Sequence, residues 1–323
     1  MELNLSSFSM GKSQTVSSEH VKVLVLGAGP AGMSAALYAA RAELNPVVLT
    51  GTELGGQASL THIIENYPGF PNGVGGLELG ELFQKQAERF GARFEFDTAT
   101  TIDLSQRPFK IKSFAKEYLA DSLIVATGAS SNHLNIPGET TLTGKGVSYC
   151  ATCDGWFFKE KRVVVVGGGD SALEEGIFLT RYASSVNIIH RRDSLRAGAI
   201  LQRRAQENPK ISFTWDSVLS EILGSKAVEA VRLKNVKTSK ESVLSTDGVF
   251  IFIGHKPNTE LFKGQLNMDE RGYIVTDLHM ETNIPGVFVA GEVCDPHFRQ
   301  VITSAGMGAA AAIQATHFLE QNS

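Results

Sequence analysis

Two cysteines separated by two residues are the most reactive stretch of this sequence. Cys150 and Cys153 enclose Ala151 and Thr152, and Asp154 follows directly. A pair at this spacing can close a small disulfide that is easily reduced, and it favours a thiolate, the form that attacks other disulfides. The carboxyl group of Asp154 could move a proton during such an exchange. These residues alone fit a redox centre, a structural bridge or half of a zinc site, so the neighbouring sequence must decide.

A dinucleotide-binding pattern precedes the dithiol. The apolar run 21–26 predicts a buried strand, and it leads into the glycine-rich segment 27–32 (GAGPAG) and an alanine-rich helix ending near Arg41. In this strand–turn–helix context, glycines allow a tight turn and a close approach of the backbone to a pyrophosphate. The N-terminus of the helix then faces the anion. We therefore expect a dinucleotide at this first turn.

The second strand of this unit, residues 46–50, ends without the acid that usually holds a ribose. Thr50 stands at that position, and Glu53 is close enough to take the role. The glycine-rich loop 51–57 is expected to continue along the same ligand. An amphipathic helix is predicted from about Leu77 to Phe90, and a last helix from about Gln300 to Leu319.

The same pattern starts again after the dithiol. Residues 162–166 predict a buried strand, and 167–172 (GGGDSA) open a helix, so the first glycines of the two patterns lie 140 residues apart. That spacing indicates a second nucleotide-binding domain and not a short repeat. Its second strand ends in His190, followed by Arg191, Arg192 and Arg196, and arginines at this place suit the 2′-phosphate of NADPH. A solvated basic helix start is the alternative.

Composition narrows the class of protein. The chain has 323 residues, 42% of them hydrophobic and 20% charged, which suits two soluble domains. A net charge of −4 gives no reason to expect a nucleic-acid partner, and the lack of a run of about 18 apolar residues argues against a membrane span. Three cysteines suggest a reducing compartment, hence a cytoplasmic protein. Residues 1–20 resemble neither a secretory signal nor a transit peptide, and we expect a disordered tail.

At this point the motifs resemble a known family, the low-molecular-weight, NADPH-dependent thioredoxin reductases, which are flavoproteins. The similarity runs from about Val21 to Leu319. Its motifs are the two glycine patterns, Gly55-Gly56-Gln57, Ala126-Thr127-Gly128, the segment 150–155 (CATCDG), His190-Arg191-Arg192 with Arg196, Gly254-His255 and Arg299-Gln300. One departure is Glu292, which stands where the family usually has aspartate.

The resemblance implies an α/β fold of two Rossmann-like dinucleotide-binding domains, the second inserted in the first. The FAD-binding domain would comprise residues 21–129 and 258–323, and the NADPH-binding domain, which carries the dithiol, residues 130–257. The residues expected at FAD are Gly27, Gly29, Pro30, Ala31, Gly32, Thr50, Gly51, Glu53, Gly56, Gln57, Asn66, Thr127, Gly128, Gly291, Glu292, Arg299, Gln300 and Val301. Those expected at NADPH are Gly167, Gly169, Asp170, Ser171, Ala172, His190, Arg191, Arg192, Arg196 and Gly254.

The resemblance also implies how the dithiol works. Cys153 would face the flavin, Cys150 would attack the disulfide of thioredoxin, and Asp154 would protonate the leaving thiolate; a helix cap is the plain alternative for Asp154. Trp156 and Phe157 could dock thioredoxin or pack in the core. The family further implies a homodimer. Because the dithiol and NADPH must both reach the flavin, we expect the second domain to rotate about crossings near residues 129 and 257.

His255 and Cys294 are expected to have structural roles, and three other classes of protein are alternatives to the family named above. We expect His255 to be a packing residue and Cys294 a small buried hydrophobe. A ferredoxin-fed flavin dithiol enzyme should lack the arginine cluster, and a ferredoxin–NADP reductase should lack the dithiol. A zinc-binding protein would need a second ligand pair, which Cys294 alone does not supply, so no metal is expected.

Overall fold

The computed structural model of the protein describes residues 18–51, 54–61 and 63–322. They form seventeen strands and six α-helices in an α/β arrangement. The strands are β1 (Ser18–Leu26), β2 (Val47–Leu49), β3 (Arg93–Glu95), β4 (Ala99–Asp103), β5 (Phe109–Ser113), β6 (Glu117–Val125), β7 (Ala129–Ser131), β8 (Val147–Ser148), β9 (Arg162–Val166), β10 (Ser185–Ile189), β11 (Ile211–Thr214), β12 (Ser217–Leu223), β13 (Ala230–Asn235), β14 (Glu241–Ser245), β15 (Gly248–Ile251), β16 (His255–Pro257) and β17 (Val287–Val289). The helices are α1 (Pro30–Arg41), α2 (Gly76–Glu88), α3 (Ala151–Asp154), α4 (Asp170–Leu179), α5 (Ala199–Gln206) and α6 (Val301–Gln321).

The first sheet is built from both ends of the chain. Its order is β3-β2-β1-β6-β5-β4, and β17 joins it from near the C-terminus by pairing in parallel with β6. β1, β2, β3 and β6 run parallel, as expected where crossover helices cover a sheet. α6 packs on α1 so tightly that a Cβ atom on Gly308 would lie 2.0 Å from the carbonyl oxygen of Ala31. The C-terminal helix therefore closes the first nucleotide fold.

The second sheet uses only the middle of the chain. Its parallel strands follow the order β11-β10-β9-β15-β8, and the apolar strand β9 lies at its centre. The aliphatic side chains of β9, β10 and β15 are almost fully buried and form the core of this part. An antiparallel meander, β12-β13-β14, completes the segment. This sheet repeats the strand–glycine turn–helix unit of the first.

A two-stranded antiparallel ribbon joins the two parts. β7 leaves the first sheet and β16 returns from the second, and the two pair from Ala129↔Pro257 to Ser131↔His255. The side chain of Asn258 donates to the carbonyl of Thr127 at 2.9 Å, and the Thr127 hydroxyl donates to the carbonyl of Asn258 at 2.8 Å. The chain thus crosses between the two sheets at one narrow place.

Most of the predicted elements are present, with one correction at the N-terminus. β9 spans the predicted residues, and α1 ends at Arg41 as expected. β1, however, begins at Ser18, so the prediction of a disordered tail is wrong for residues 18–20. They pair with the start of β6, Ser18 opposite Glu117, and the Glu19 carboxylate bonds the Lys116 ammonium at 2.7 Å. The rest of the expected tail, residues 1–17, lies outside the described residues.

Candidate active site

One deep cavity gathers most of the residues expected at the flavin. It lies at the carboxyl ends of β1 and β6, beside the N-terminus of α1, where parallel sheets bind ligands. The expected flavin residues that line it are Gly27, Gly29, Pro30, Ala31, Thr50, Gln57, Asn66, Thr127, Gly128, Gly291, Glu292, Arg299, Gln300 and Val301. A Cβ atom on Gly29 would meet no atom of the described residues within 4 Å, so the turn leaves room for a close ligand.

The other expected flavin residues have different places. Gly32 does not line the cavity, because a Cβ atom there would lie 1.9 Å from the carbonyl oxygen of Gly27; its role is to let the helix approach the turn. Gly56 packs against Gly29 in the same way, with a hypothetical Cβ 3.1 Å from the Gly29 Cα. Gly51 lines a separate open pocket, and Glu53 lies outside the described residues.

The dithiol forms part of the wall of this cavity. Cys150 and Cys153 are joined as a disulfide with their Cα atoms 5.3 Å apart, and Asp154 lines the same space. Cys150 caps the short helix α3, because its sulfur accepts a hydrogen bond from the Cys153 backbone N–H at 3.2 Å. The hydroxyl of Ser148 donates to the Asp154 carboxylate at 2.6 Å. The sequence-based reasoning missed Ser148, which aims the proposed acid.

Side chains from the first fold contact the dithiol segment directly. The Gln300 side chain donates to the Thr152 hydroxyl at 3.3 Å and accepts from the Asn66 amide at 3.1 Å. The Thr152 oxygen lies 3.4 Å from the Cys150 sulfur. A series of polar contacts therefore runs from the first fold to the disulfide. These contacts join Gln300, at the N-terminus of α6, to Thr152 in α3.

Glu292 and His255 are two titratable residues of the cavity wall whose pKa values burial changes strongly. Burial raises the pKa of Glu292 to about 7, although the nearby Arg299 guanidinium opposes this. Burial, together with the charge of Arg299, lowers the pKa of His255 to about 4. The Arg299 guanidinium lies 2.6 Å from the Nδ1 atom of His255, which must therefore accept the hydrogen bond. His255 is thus a neutral partner of Arg299 at the cavity wall, more than a packing residue.

Glu175 is a further buried acid that the sequence-based reasoning missed. It lies on α4 and lines the cavity, and its carboxylate accepts a hydrogen bond from the Ala151 backbone N–H beside the dithiol. Its Oε2 atom is buried and has no hydrogen-bond partner among the residues that the structure describes, and burial raises the pKa of Glu175 despite the attraction of Arg299. The sequence offers only the adjacent acids Glu174 and Glu175 as a sign of this site, and it does not indicate which of the two side chains faces the cavity.

The residues expected at NADPH lie mainly around a second, more open site. Ser171 is the one member of that group that also lines the flavin cavity. The Asp170 carboxylate accepts from the Gly198 N–H at 2.7 Å, and His190 lies under Gly168, where a Cβ atom would come within 2.4 Å of the imidazole ring. Arg191, Arg192 and Arg196 are exposed beside this turn. Gly167 and Gly169 form the turn itself, Ala172 lies in the first turn of α4, and Gly254 lies beyond β15 at the start of the ribbon.

A shallow pocket lies next to Gly51 at the carboxyl end of β3. Phe96, Asp97 and Phe114 line it, and the Asp97 carboxylate accepts from the backbone N–H groups of Phe114 and Ala115, each at 3.1 Å. In the dinucleotide-binding fold the ribose is bound beyond the second strand, where Gly51 lies, so this pocket is a candidate place for the adenosine end of a dinucleotide. The sequence signal for this pocket is Asp97, an acid just after the strand at 93–95.

The remaining predictions concern single residues and absent features. Burial raises the pKa of the Cys294 thiol to about 12, and the thiol donates to the carbonyl of Gly291, which suits the expected buried hydrophobe. Trp156 is 50% exposed and packs edge-on against Tyr182.

Within residues 18–51, 54–61 and 63–322, no three His, Cys, Asp or Glu side chains are grouped to hold a metal ion. No helix in that described part is long and apolar enough to cross a membrane.

Comparison with known proteins decides the family. The pattern of the family "Pyridine nucleotide-disulphide oxidoreductase" matches residues 21–309. The thioredoxin reductase of Rickettsia bellii is 52% identical over 305 residues, which are 93% of this chain and 98% of that protein. The chain belongs to the thioredoxin reductase family. The family confirms the expected pair of Rossmann-like folds and the cofactors FAD and NADPH.

Two solved thioredoxin reductases match this chain to different degrees. The enzyme from Streptococcus pyogenes is 42% identical with a TM-score of 0.90, over 94% of this chain and 100% of that one. The enzyme from Lactococcus lactis, solved in the "FR conformation", is 44% identical but has a TM-score of 0.64, over 93% and 99% of the two chains. The two sequence identities are nearly equal, so they do not explain the difference between the two TM-scores. The arrangement of this chain is therefore closer to that of the S. pyogenes enzyme.

Proposed function

We propose that this protein passes electrons from NADPH through FAD to the Cys150–Cys153 disulfide and on to the disulfide of thioredoxin. The observation that carries the proposal is the position of the disulfide on the wall of the cavity lined by the first glycine turn. FAD, when bound, accepts a hydride and releases an electron pair, which suits a relay between a nicotinamide and a disulfide. The cavity residues fit it: Gly29 leaves space at the pyrophosphate position and α1 directs its N-terminus there.

Cys150, Cys153 and Asp154 take different steps of the disulfide exchange. Cys153 is the sulfur to receive electrons, and the thiolate of Cys150 then attacks one sulfur of the thioredoxin disulfide and displaces the other. Cys153 attacks the resulting mixed disulfide, which restores Cys150–Cys153 and releases thioredoxin as a dithiol. Asp154, held by Ser148, supplies the proton to the departing sulfur. The direction assigned to each sulfur follows the family.

The two-domain division and its motion belong to the same proposal. The FAD-binding domain comprises residues 21–129 and 258–323, now with β1 starting at Ser18, and the NADPH-binding domain comprises 130–257. The exposed arginine group stands away from the flavin cavity, so the nicotinamide must approach by a change of arrangement. The narrow β7–β16 ribbon is a suitable pivot, and the two TM-scores support two arrangements. A cross-link between the domains should stop multiple turnover.

The partners and the compartment follow from the same reasoning. Thioredoxin is the protein substrate, and the exposed Trp156 with Phe157 offers an aromatic surface two residues beyond the dithiol helix. A homodimer follows the family, and a cytoplasmic location suits a chain whose reactive cysteines form a redox pair. Sedimentation of the purified protein tests whether it is a homodimer. Replacing both Trp156 and Phe157 with alanine should raise the KM for thioredoxin.

Stopped-flow reduction of the flavin tests the proposal. NADPH should bleach the flavin much faster than NADH does, and thioredoxin should then reoxidise the protein. Cys150→Ser and Cys153→Ser should each abolish thioredoxin reduction, and Cys294→Ser, a matched loss of one sulfur, should not. If neither nucleotide bleaches the flavin and reduced ferredoxin does, the proposal is wrong and the ferredoxin-fed alternative applies.

A further inference from the structure

A buried carboxylate organises the first crossing between the two folds. The side chain of Glu139 is 2% exposed, and the chain from 134 to 136 turns around it. Its oxygens accept hydrogen bonds from the backbone N–H groups of Leu134 at 3.0 Å, Asn135 at 2.7 Å and Ile136 at 3.4 Å. This segment follows β7 directly, so one acid fixes the path of the crossing just beyond the ribbon.

The same carboxylate reaches the residue that precedes the dithiol. The hydroxyl of Tyr149 donates to the Oε1 atom of Glu139 at 2.7 Å. The Nδ1 atom of His133 lies 2.8 Å from the Tyr149 hydroxyl oxygen, and the two rings pack edge-to-face with centroids 5.1 Å apart. Tyr149 lines the flavin cavity and is bonded to Cys150. Glu139 therefore connects the crossing to the redox pair by one side-chain contact.

The hydrogen bonds keep Glu139 charged in spite of its burial. Burial alone would raise its pKa, but the Tyr149 hydroxyl and the three backbone donors lower it below the usual value. Burial and the hydrogen bond to this carboxylate raise the pKa of Tyr149, so the phenol stays protonated and donates. A buried charge with a full set of donors holds its partners in one geometry, because each lost bond leaves the charge unsatisfied.

We propose that Glu139 is a positioning residue for the dithiol, acting through Tyr149. It fixes Cys150 relative to the segment 133–139, while Ser148 fixes Cys150 and Asp154 from the other side, with its hydroxyl 3.1 Å from the Cys150 nitrogen. The crossing and the dithiol then move as one body, and the bend is confined to the β7–β16 ribbon. The inference rests on the proposed function, since it assigns Glu139 a part in presenting the disulfide to the flavin.

Tyr149→Phe is the most selective test, because it removes the contact to the dithiol and leaves the backbone bonds of Glu139. We expect reduction of the flavin by NADPH to stay within about twofold of wild type, while transfer onward to thioredoxin falls about tenfold in kcat, the effect of one hydrogen bond to a charge. Tyr38→Phe, on the exposed side of α1, is the matched control and should change neither step. A merely structural defect would slow both steps alike and would overturn the proposal.

Amide hydrogen exchange provides a second measurement that needs no substrate. In Glu139→Gln, where an N–H₂ group replaces one acceptor, exchange should rise in both 133–139 and 149–154; in Tyr149→Phe it should rise in 149–154 alone. Equal protection of 149–154 in Tyr149→Phe and wild type would show that the contact does not position the dithiol. Wild-type turnover with NADPH and thioredoxin is measured separately, so failure of the proposed function is distinguishable from failure of this inference.

Discussion

The two glycine-rich turns share one sequence pattern but differ in what surrounds them. The first lies under α6 and opens into a deep cavity whose acid, Glu292, is largely buried. The second has Ala172 in place of the third glycine and is bordered by Arg191 and Arg192, which are exposed to solvent. Equivalent turns thus lie beside a buried titratable acid in one fold and beside exposed positive charges in the other.

This difference suits two kinds of nucleotide. A cavity enclosed by a returning helix and by the dithiol segment should retain its ligand through many turnovers, as a resident flavin requires. An open turn with exposed, solvated arginines should bind and release its ligand in each cycle, as NADPH requires. The comparison predicts that changes in the first fold alter folding and flavin content, whereas changes in the second alter affinity for NADPH.

The largest effect is expected from Gly27→Ala in the first fold. Gly27 has φ of +106°, and a Cβ atom there would lie 2.3 Å from the carbonyl oxygen of Ala126, a backbone atom that cannot move aside. We expect a loss of about 3 kcal/mol or more in the free energy of unfolding, together with loss of bound flavin. Urea unfolding and the flavin-to-protein absorbance ratio measure both.

Gly264→Ala is the control for Gly27→Ala. Gly264 also has a positive φ, +78°, but no atom of the residues that the structure describes lies within 4 Å of the Cβ position, so only the backbone strain of about 1–2 kcal/mol applies. If both variants lose the same stability and both retain flavin, the close packing of the first turn is not what holds the flavin site together.

The next effect is expected from replacing the exposed arginines with Arg191→Gln and Arg192→Gln together. Each hydrogen bond from a charged group to the 2′-phosphate contributes about 1.5–3 kcal/mol, so losing one from each arginine should lower kcat/KM for NADPH about 10²- to 10⁴-fold. The value for NADH should change little, and flavin content should stay the same. Arg203→Gln, another exposed arginine of this part, should leave both nucleotides unaffected. Equal losses with NADH and NADPH would contradict the assignment.

The local patterns of both turns could be predicted from the sequence, but their surroundings could not. β9 and α1 follow from an apolar run and a glycine turn, which are features of consecutive residues. The start of β1 at Ser18 depends on pairing with Glu117, about a hundred residues away, and carries no apolar signal of its own. Glu175 and Glu139 gain their roles from contacts with the dithiol segment that only the folded chain creates. The sequence therefore does not predict which acidic side chains are buried, because burial depends on contacts between distant parts of the chain.

A smaller effect is expected from the buried acid of the first fold. Because burial raises the pKa of Glu292 from the usual 4.5 to about 7, the flavin-free folded protein binds more protons than the unfolded chain between those values. The contribution of Glu292 to stability should therefore fall as the pH rises from about 4.5 to 7, by about 3 kcal/mol, and level off above. His255, whose pKa is lowered to about 4, contributes in the opposite direction over much of this range, so the fall is obtained as the difference between wild type and Glu292→Gln. Thermal unfolding across this range measures the slope.

Glu292→Gln should remove that part of the pH dependence, since an amide stays neutral throughout. Glu229→Gln, which changes an exposed acid of the second part, should keep the wild-type slope. If Glu292→Gln and wild type lose stability in parallel between pH 4.5 and 7, the carboxyl group is already ionised in the folded protein, and the contrast between buried and exposed charge is wrong at this residue.

The smallest effect concerns salt, and it separates the two folds without any substitution. Exposed arginines attract a phosphate through solvent, where raising the ionic strength from about 0.05 to 0.5 M shortens the screening length from about 14 to 4 Å. The KM for NADPH should therefore rise by about three- to tenfold. Bound flavin should be retained, because charges inside the first cavity are screened far less. The Arg191→Gln, Arg192→Gln variant should lose this salt dependence, so a KM that still rises with salt in that variant would mean that other cations attract the nucleotide.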